Sequence, residues 1–149
     1  MRTQREVLFC LLNIALSLCA GGYIYVSYGS GTAIGELLSS VLQMEQRLPD
    51  GGLTLFLRNW GADFLWAYAL FFSLYLCYAA RKWAVRTAIA VSAVVCLTLE
   101  MLQLMPASLL TGTFDILDIA AEMLGICLGA FVFHLKRSHY EDRGGVGDE

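Results

Sequence analysis

Five carboxyl side chains sit where an otherwise apolar sequence gives them no obvious reason to be. Glu100 lies six residues before Pro106 in a long hydrophobic run, with Gln103 following at i+3 on the same helical face. Asp115, Asp118 and Glu122 open the next run at i, i+3, i+7, again one face, and that stripe continues through Gly125 and Gly129. Asn59 and Asp63 enter an earlier run. Crowded, desolvated carboxylates do not all ionise unaided. Their charge must be met by protonation, by a divalent cation or by a cationic group on a ligand. Arg58 is the nearest counter-charge in sequence. Hard oxygen ligands suit Mg²⁺ or Ca²⁺ rather than Zn²⁺. The chain offers no Ser-His-Asp set and no glycine-rich phosphate loop, so nucleophilic catalysis has no candidate. No feature points to nucleic acid.

Each residue also has a plainer reading. Asp115 suits an N-cap, Asp118 complements the dipole of the helix it opens, and Asp63 near the start of its own span is similarly placed. Glu100 and Glu122 lie too deep for capping. For them the alternative is structural pairing between helices as a protonated acid. At about 1.5 Å per residue, Glu100 falls about 8 Å below the end of its helix at Pro106.

The elements that hold these residues are membrane spans. Of 149 residues, 58% are hydrophobic and 15% charged, too apolar for a soluble domain of this size. Four runs, Val7 to Tyr28, Ala62 to Ala79, Thr87 to Met105 and Ile116 to Leu135, each approach the ~20 residues that cross a bilayer. They show no period-2 alternation, which leaves helices. The first is too long for a signal-peptide core, and Tyr23, Tyr25 and Tyr28 replace a cleavage site. The expected fold is an all-α integral membrane protein of four transmembrane helices.

Arg2, Arg5, Arg81, Lys82, Arg86, Lys136, Arg137 and Arg143 fall on one side of this map, against Arg47 and Arg58 on the other. The positive-inside bias therefore places both termini in the cytoplasm, and the carboxylates at the outer end. Tyr23, Tyr25, Tyr28, Trp60, Trp66, Tyr78 and Trp83 cluster near span ends as an interfacial belt. Cys10, Cys19, Cys77, Cys96 and Cys127 are scattered singly and serve as small apolar filler. His134 and His139 have no metal-ligand spacing. Asn13 and Ser17 are expected to join helices.

In the outer loop, Ile34, Leu37, Leu38, Val41 and Leu42 repeat at helical spacing with polar residues opposite, predicting an amphipathic interfacial helix over 34–47. Pro49-Asp50-Gly51-Gly52 ends it. The four-helix domain covers 1–137, and the tail 138–149, rich in Gly, Asp and Glu, is expected to be disordered. The Gly125-x-x-x-Gly129 seam permits close helix approach, and Ser92, Cys96, Glu100 and Gln103 form a matching seam on span three. A short turn at Pro106 then faces Glu100 towards Asp118 or Glu122.

These residues resemble the VanZ-like membrane proteins. The resemblance runs from Asn59 to Gly129 in three pieces: Asn59-Trp60-Gly61-Ala62-Asp63-Phe64-Leu65-Trp66, similar to the family's Asp-bearing span opening; Glu100-Met101-Leu102-Gln103, similar to its E-x-x-Q; and Gly112-Thr113-Phe114-Asp115-Ile116-Leu117-Asp118 with Gly125 and Gly129, similar to its paired aspartates followed by glycines. Many members carry Arg before the first aspartate, where this chain has Gly112 and Thr113. Many carry Asn four residues after the second, where this chain has Glu122. Both changes make the site more acidic. The resemblance implies a multi-pass protein of the bacterial cytoplasmic membrane, with some members linked to low-level teicoplanin resistance, and no established reaction. The leading expectation is a non-catalytic envelope protein whose acidic outward site (Asp63, Glu100, Gln103, Asp115, Asp118, Glu122) binds a polar, cationic or metal-bridged ligand, such as a lipid headgroup or glycopeptide. The rivals are a membrane-embedded enzyme using the same carboxylates on a lipid-linked substrate, and an accessory subunit docking another membrane protein or a second copy of itself. A transporter ranks last, because no duplicated halves are visible.

Overall fold

The computed structural model describes residues 4–28, 37, 40, 41, 51–103 and 115–144, without the side chains of Tyr28 and of 139–144. Helix α1 runs Gln4–Tyr28. After the outer loop come a short helix α2 (Gly52–Phe56), a π-helical turn (Leu57–Gly61) and α3 (Ala62–Tyr78), then α4 (Ala84–Gln103) and α5 (Ile116–Gly144). No strand occurs among the described residues. Four helical stretches are long and apolar enough to cross a membrane: Gln4–Ser27, Gly52–Tyr78, Ala84–Gln103 and Ile116–Ser138. The all-helical, four-span architecture expected from hydropathy is the observed one.

Two boundaries differ from expectation. Span two begins ten residues early, because α2, the π turn and α3 form one continuous helical run from Gly52. Gly51 takes a backbone φ of 147°, a region that favours glycine, and its carbonyl accepts from Leu55 N at 3.0 Å and Thr54 Oγ1 at 2.9 Å. The helix therefore starts at this glycine pair rather than at Ala62. At the other end, α5 continues to Gly144, into the segment expected to be disordered. The polar residues after Leu135 extend an established helix rather than nucleating a new one, which is the inexpensive direction. Of the amphipathic helix expected over 34–47, only Leu37, Ser40 and Val41 are described; each is helical, and Ser40 Oγ donates to Leu37 O at 2.7 Å. The rest of that helix, the Pro106 link and residues 145–149 lie outside the described residues.

Helix α3 is the hub. It packs against α1, α4 and α5, and α4 packs against α5. Its Ala67, Tyr68, Phe71, Phe72 and Tyr75 form the core with Ala84, Ala88 and Cys96 of α4, Ile126 and Phe133 of α5, and Cys10 of α1. A helix central to a bundle must be apolar or internally satisfied on most sides, and α3 supplies both: large rings, and two hydroxyls that find partners on α1. Tyr68 OH donates to Asn13 Oδ1 at 2.5 Å, and Tyr75 OH donates to Glu6 Oε1. The expectation that Asn13 joins helices is met, with Tyr68 as its partner. Ser17 Oγ instead donates within its own helix, to Asn13 O at 2.6 Å. Outward faces carry Leu8, Leu11, Leu12 and Leu16 on α1 and Leu124, Leu128, Phe131 and Leu135 on α5, an apolar surface matched to lipid tails.

Candidate functional site

On α4, Ala84, Ala88, Ser92, Cys96 and Glu100 are all buried, one every four residues. Rows at this spacing are the ridges by which helices interlock, and small side chains bring the partner close. Glu100 ends the row. On α5 the stripe predicted from spacing is turned inward: Glu122, Gly125 and Gly129 are buried, and Asp118 and Asp115 above them are half-buried. Glu100 and Glu122 retain only 5% and 4% of their exposure.

The seam works differently from expectation in one respect. Gly125 and Gly129 approach span two rather than span three. A Cβ built on Gly125 falls 2.3 Å from the carbonyl oxygen of Phe64, and one on Gly129 falls 2.8 Å from the Phe71 ring. The glycines therefore seat α5 on the backbone of α3, while the carboxyl half of the same stripe meets α4. There the Cys96 thiol donates to the Glu122 carboxylate. Cys96, expected to be filler, is the direct partner of a candidate site residue, and its place on the Ser92–Glu100 row was the signal for it.

Asp63, Glu100, Asp115, Asp118 and Glu122 come together at one end of the bundle, close enough to interact electrostatically: Glu100 with Asp63, Asp115, Asp118 and Glu122, and Asp63 with Asp118 and Glu122. Gln103 Nε2 donates to Glu100 Oε1 at 3.2 Å. Asp115 is also the N-cap of α5, its Oδ1 accepting from Leu117 N at 3.0 Å and its backbone oxygen from Asp118 N at 3.1 Å. Asp63 is no cap, since its helix begins at Gly52. Arg58 lies half-buried on the π turn before Asp63. Among the described residues, two buried oxygens, Glu100 Oε2 and Glu122 Oε2, find no hydrogen-bond partner. Buried polar atoms are normally satisfied, and a carboxylate oxygen is an expensive one to leave open.

Chemically, this arrangement accepts hydrogen bonds and positive charge. Apart from the buried Cys96 thiol against Glu122, the described residues supply no nucleophile with an adjacent base. Nor do the described residues converge as a metal site: no group of three or more His, Cys, Asp or Glu side chains is placed to hold an ion. The Mg²⁺ or Ca²⁺ expectation therefore finds no preformed ligand set among the described residues.

Beside the cluster lies a cavity that the sequence reading missed. It occupies about 580 Å³ between α1 and the start of α3, lined by apolar and small residues, among them Gly21, Gly22, Val26, Ala62 and Trp66, with Asp63 in its wall. Its signal was the Gly21-Gly22 pair, which leaves α1 without side chains where α3 carries Ala62. Asp63 thus belongs both to the acidic cluster and to an apolar groove.

A family model described as VanZ/LLP1 matches residues 26–137. The match is wider than the Asn59–Gly129 stretch that carried the resemblance, and it includes the outer loop. No curated protein and no solved structure matches the chain.

Proposed function

Since the chain belongs to the VanZ-like family, we propose that this four-span membrane protein acts at the bacterial cytoplasmic membrane as a binding protein, taking the cationic group of an amphiphilic envelope ligand into its acidic end. The observation that carries this reading is the pair of buried oxygens, Glu100 Oε2 and Glu122 Oε2, for which the described residues supply no hydrogen-bond partner, inside a cluster of five carboxyl groups. An ammonium group supplies up to three donors and a positive charge at once. The groove beside Asp63 supports an apolar portion on the same ligand. An organic cation is favoured over a metal ion because no three of the described acidic, cysteine or histidine side chains are grouped to hold an ion. A lipid headgroup and a glycopeptide share this chemistry, and the family's link to teicoplanin makes the second worth testing directly.

The test uses the intact protein in nanodiscs containing an ammonium-headgroup lipid, extracted for native mass spectrometry. Wild type should retain the lipid, and Glu100→Gln with Glu122→Gln should lose it while unfolding at the same temperature or higher. A parallel titration with teicoplanin separates the two sources. Equal lipid retention in wild type and variant overturns the proposal, as does loss of both lipid and fold.

A further inference from the structure

At the opposite end of the bundle, a second cavity of about 450 Å³ opens between the first turn of α4 and α5. Lys82 and Arg86 reach it from the α3–α4 link and α4, and Arg137 from α5. Its apolar wall is Val85 with Ala130 and Phe133 of α5, and Trp83, 62% exposed, flanks it. The Arg86 guanidinium lies 4.8 Å from the Trp83 ring centroid, so the indole holds that charge at the mouth. None of these residues is near the acidic cluster, and the proposal above does not use them.

Three features converge. The basic side chains come from two helices, so the pocket is a product of the fold and not one run of charge in the sequence. Helix α4 is twenty residues long and directs the positive end of its dipole towards this cavity, adding partial positive charge although its Ala84 and Thr87 amides are already bonded to Arg81 O and Trp83 O. The cavity combines that charge with apolar walls. A free phosphate uses only the charge, whereas a phospholipid places a phosphate at the rim and hydrocarbon against Val85, Ala130 and Phe133. Tryptophan flanking the pocket suits the depth of headgroups. Basic pockets between spans on the cytoplasmic side are a recognised way of binding anionic headgroups.

We propose that this pocket is a binding site for the phosphodiester headgroup of an anionic membrane phospholipid, in the leaflet that the charge bias assigns to the cytoplasm. The site is distinct in position and in sign from the acidic end.

The experiment compares wild type, Arg86→Gln and Arg81→Gln in nanodiscs of phosphatidylglycerol and phosphatidylcholine. The readout is the phosphatidylglycerol retained on the protein by native mass spectrometry, with thermal unfolding in detergent as the control for folding. Arg81 is exposed at the same end but does not line the pocket. Arg86→Gln should weaken retention about fivefold, the effect of one basic residue at an anionic headgroup, while Arg81→Gln stays within about twofold of wild type. Lys82→Gln, an exposed pocket residue, repeats the test should Arg86→Gln lower the unfolding temperature. Equal losses from Arg81→Gln and the pocket variants would reduce the effect to diffuse surface charge and overturn the site. Displacement of the lipid by inorganic phosphate at equal concentration would make it a soluble-anion site and overturn the lipid assignment.

Discussion

A carboxyl group buried in a membrane-spanning bundle stays there only if something offsets its desolvation, and for Glu122 the described partner is a single weak donor, the Cys96 thiol. Replacing Glu122 by Gln removes a like charge from the cluster and keeps the shape and most of the hydrogen bonding. The expected outcome in detergent is an unfolding temperature equal to or above wild type, read by scanning fluorimetry, since removing an uncompensated buried charge is neutral or stabilising. A drop of several degrees would mean that the carboxylate holds the helices together. Asp115 behaves oppositely. Its side chain caps α5, so Asp115→Ala should cost about 0.5–2 kcal/mol while Asp115→Asn stays near wild type, measured by the same unfolding. At this scale the sequence was informative where spacing decides. The i, i+3, i+7 stripe placed Asp115, Asp118 and Glu122 on one face, and the depth of Glu100 followed from Pro106. It was uninformative about partners. Nothing in the spacing announced that Tyr68 would donate to Asn13 or Tyr75 to Glu6, because those pairs are 55 and 69 residues apart.

The helices themselves were legible from hydropathy, since a bilayer of fixed thickness demands apolar runs of fixed length. Their ends were less so: the start of span two depends on one glycine with positive φ, and hydropathy does not register φ. Which helix meets which was the least legible. A small-residue seam states that something comes close without naming it, and here Gly125 meets α3, not α4. That contact gives an ordered series. Gly125→Ala sets a methyl 2.3 Å from a backbone oxygen that cannot rotate away, so α5 must move off α3, at an expected cost on the order of 1–3 kcal/mol. Gly129→Ala meets the edge of the Phe71 ring, which has some freedom to turn, and should cost less. Gly22→Ala meets nothing within 4 Å and should lie within about 0.5 kcal/mol of wild type. Denaturant unfolding of the three variants in one detergent checks the order; equal effects at Gly125 and Gly22 would mean that the close approach carries no stability.

For the whole molecule, the distribution of charge is expected to orient both ends. The four spans alternate in direction, so the start of α1, the link between α3 and α4 and the last turns of α5 lie at one end; in the sequence, eight basic residues belong to that side and two to the other. The link itself is only five residues, Ala79 to Trp83, turned by hydrogen bonds from Arg81 N to Tyr78 O at 2.9 Å and from Ala84 N to Arg81 O at 3.1 Å. Short links obey the charge bias most strictly, because no folded domain intervenes to override it. Reporter fusions after Arg86 and after Arg143 should therefore both read as cytoplasmic, and one at Gln46 as external. An external reading at Arg86 would invert the molecule. The acidic cluster would then face the cytoplasm and the basic pocket the outer leaflet, and a ligand arriving from outside would meet Lys82, Arg86 and Arg137 instead of Glu100 and Glu122. Because the two ends carry opposite charge, orientation and ligand chemistry are one question, and the fusion at Arg86 answers it for both.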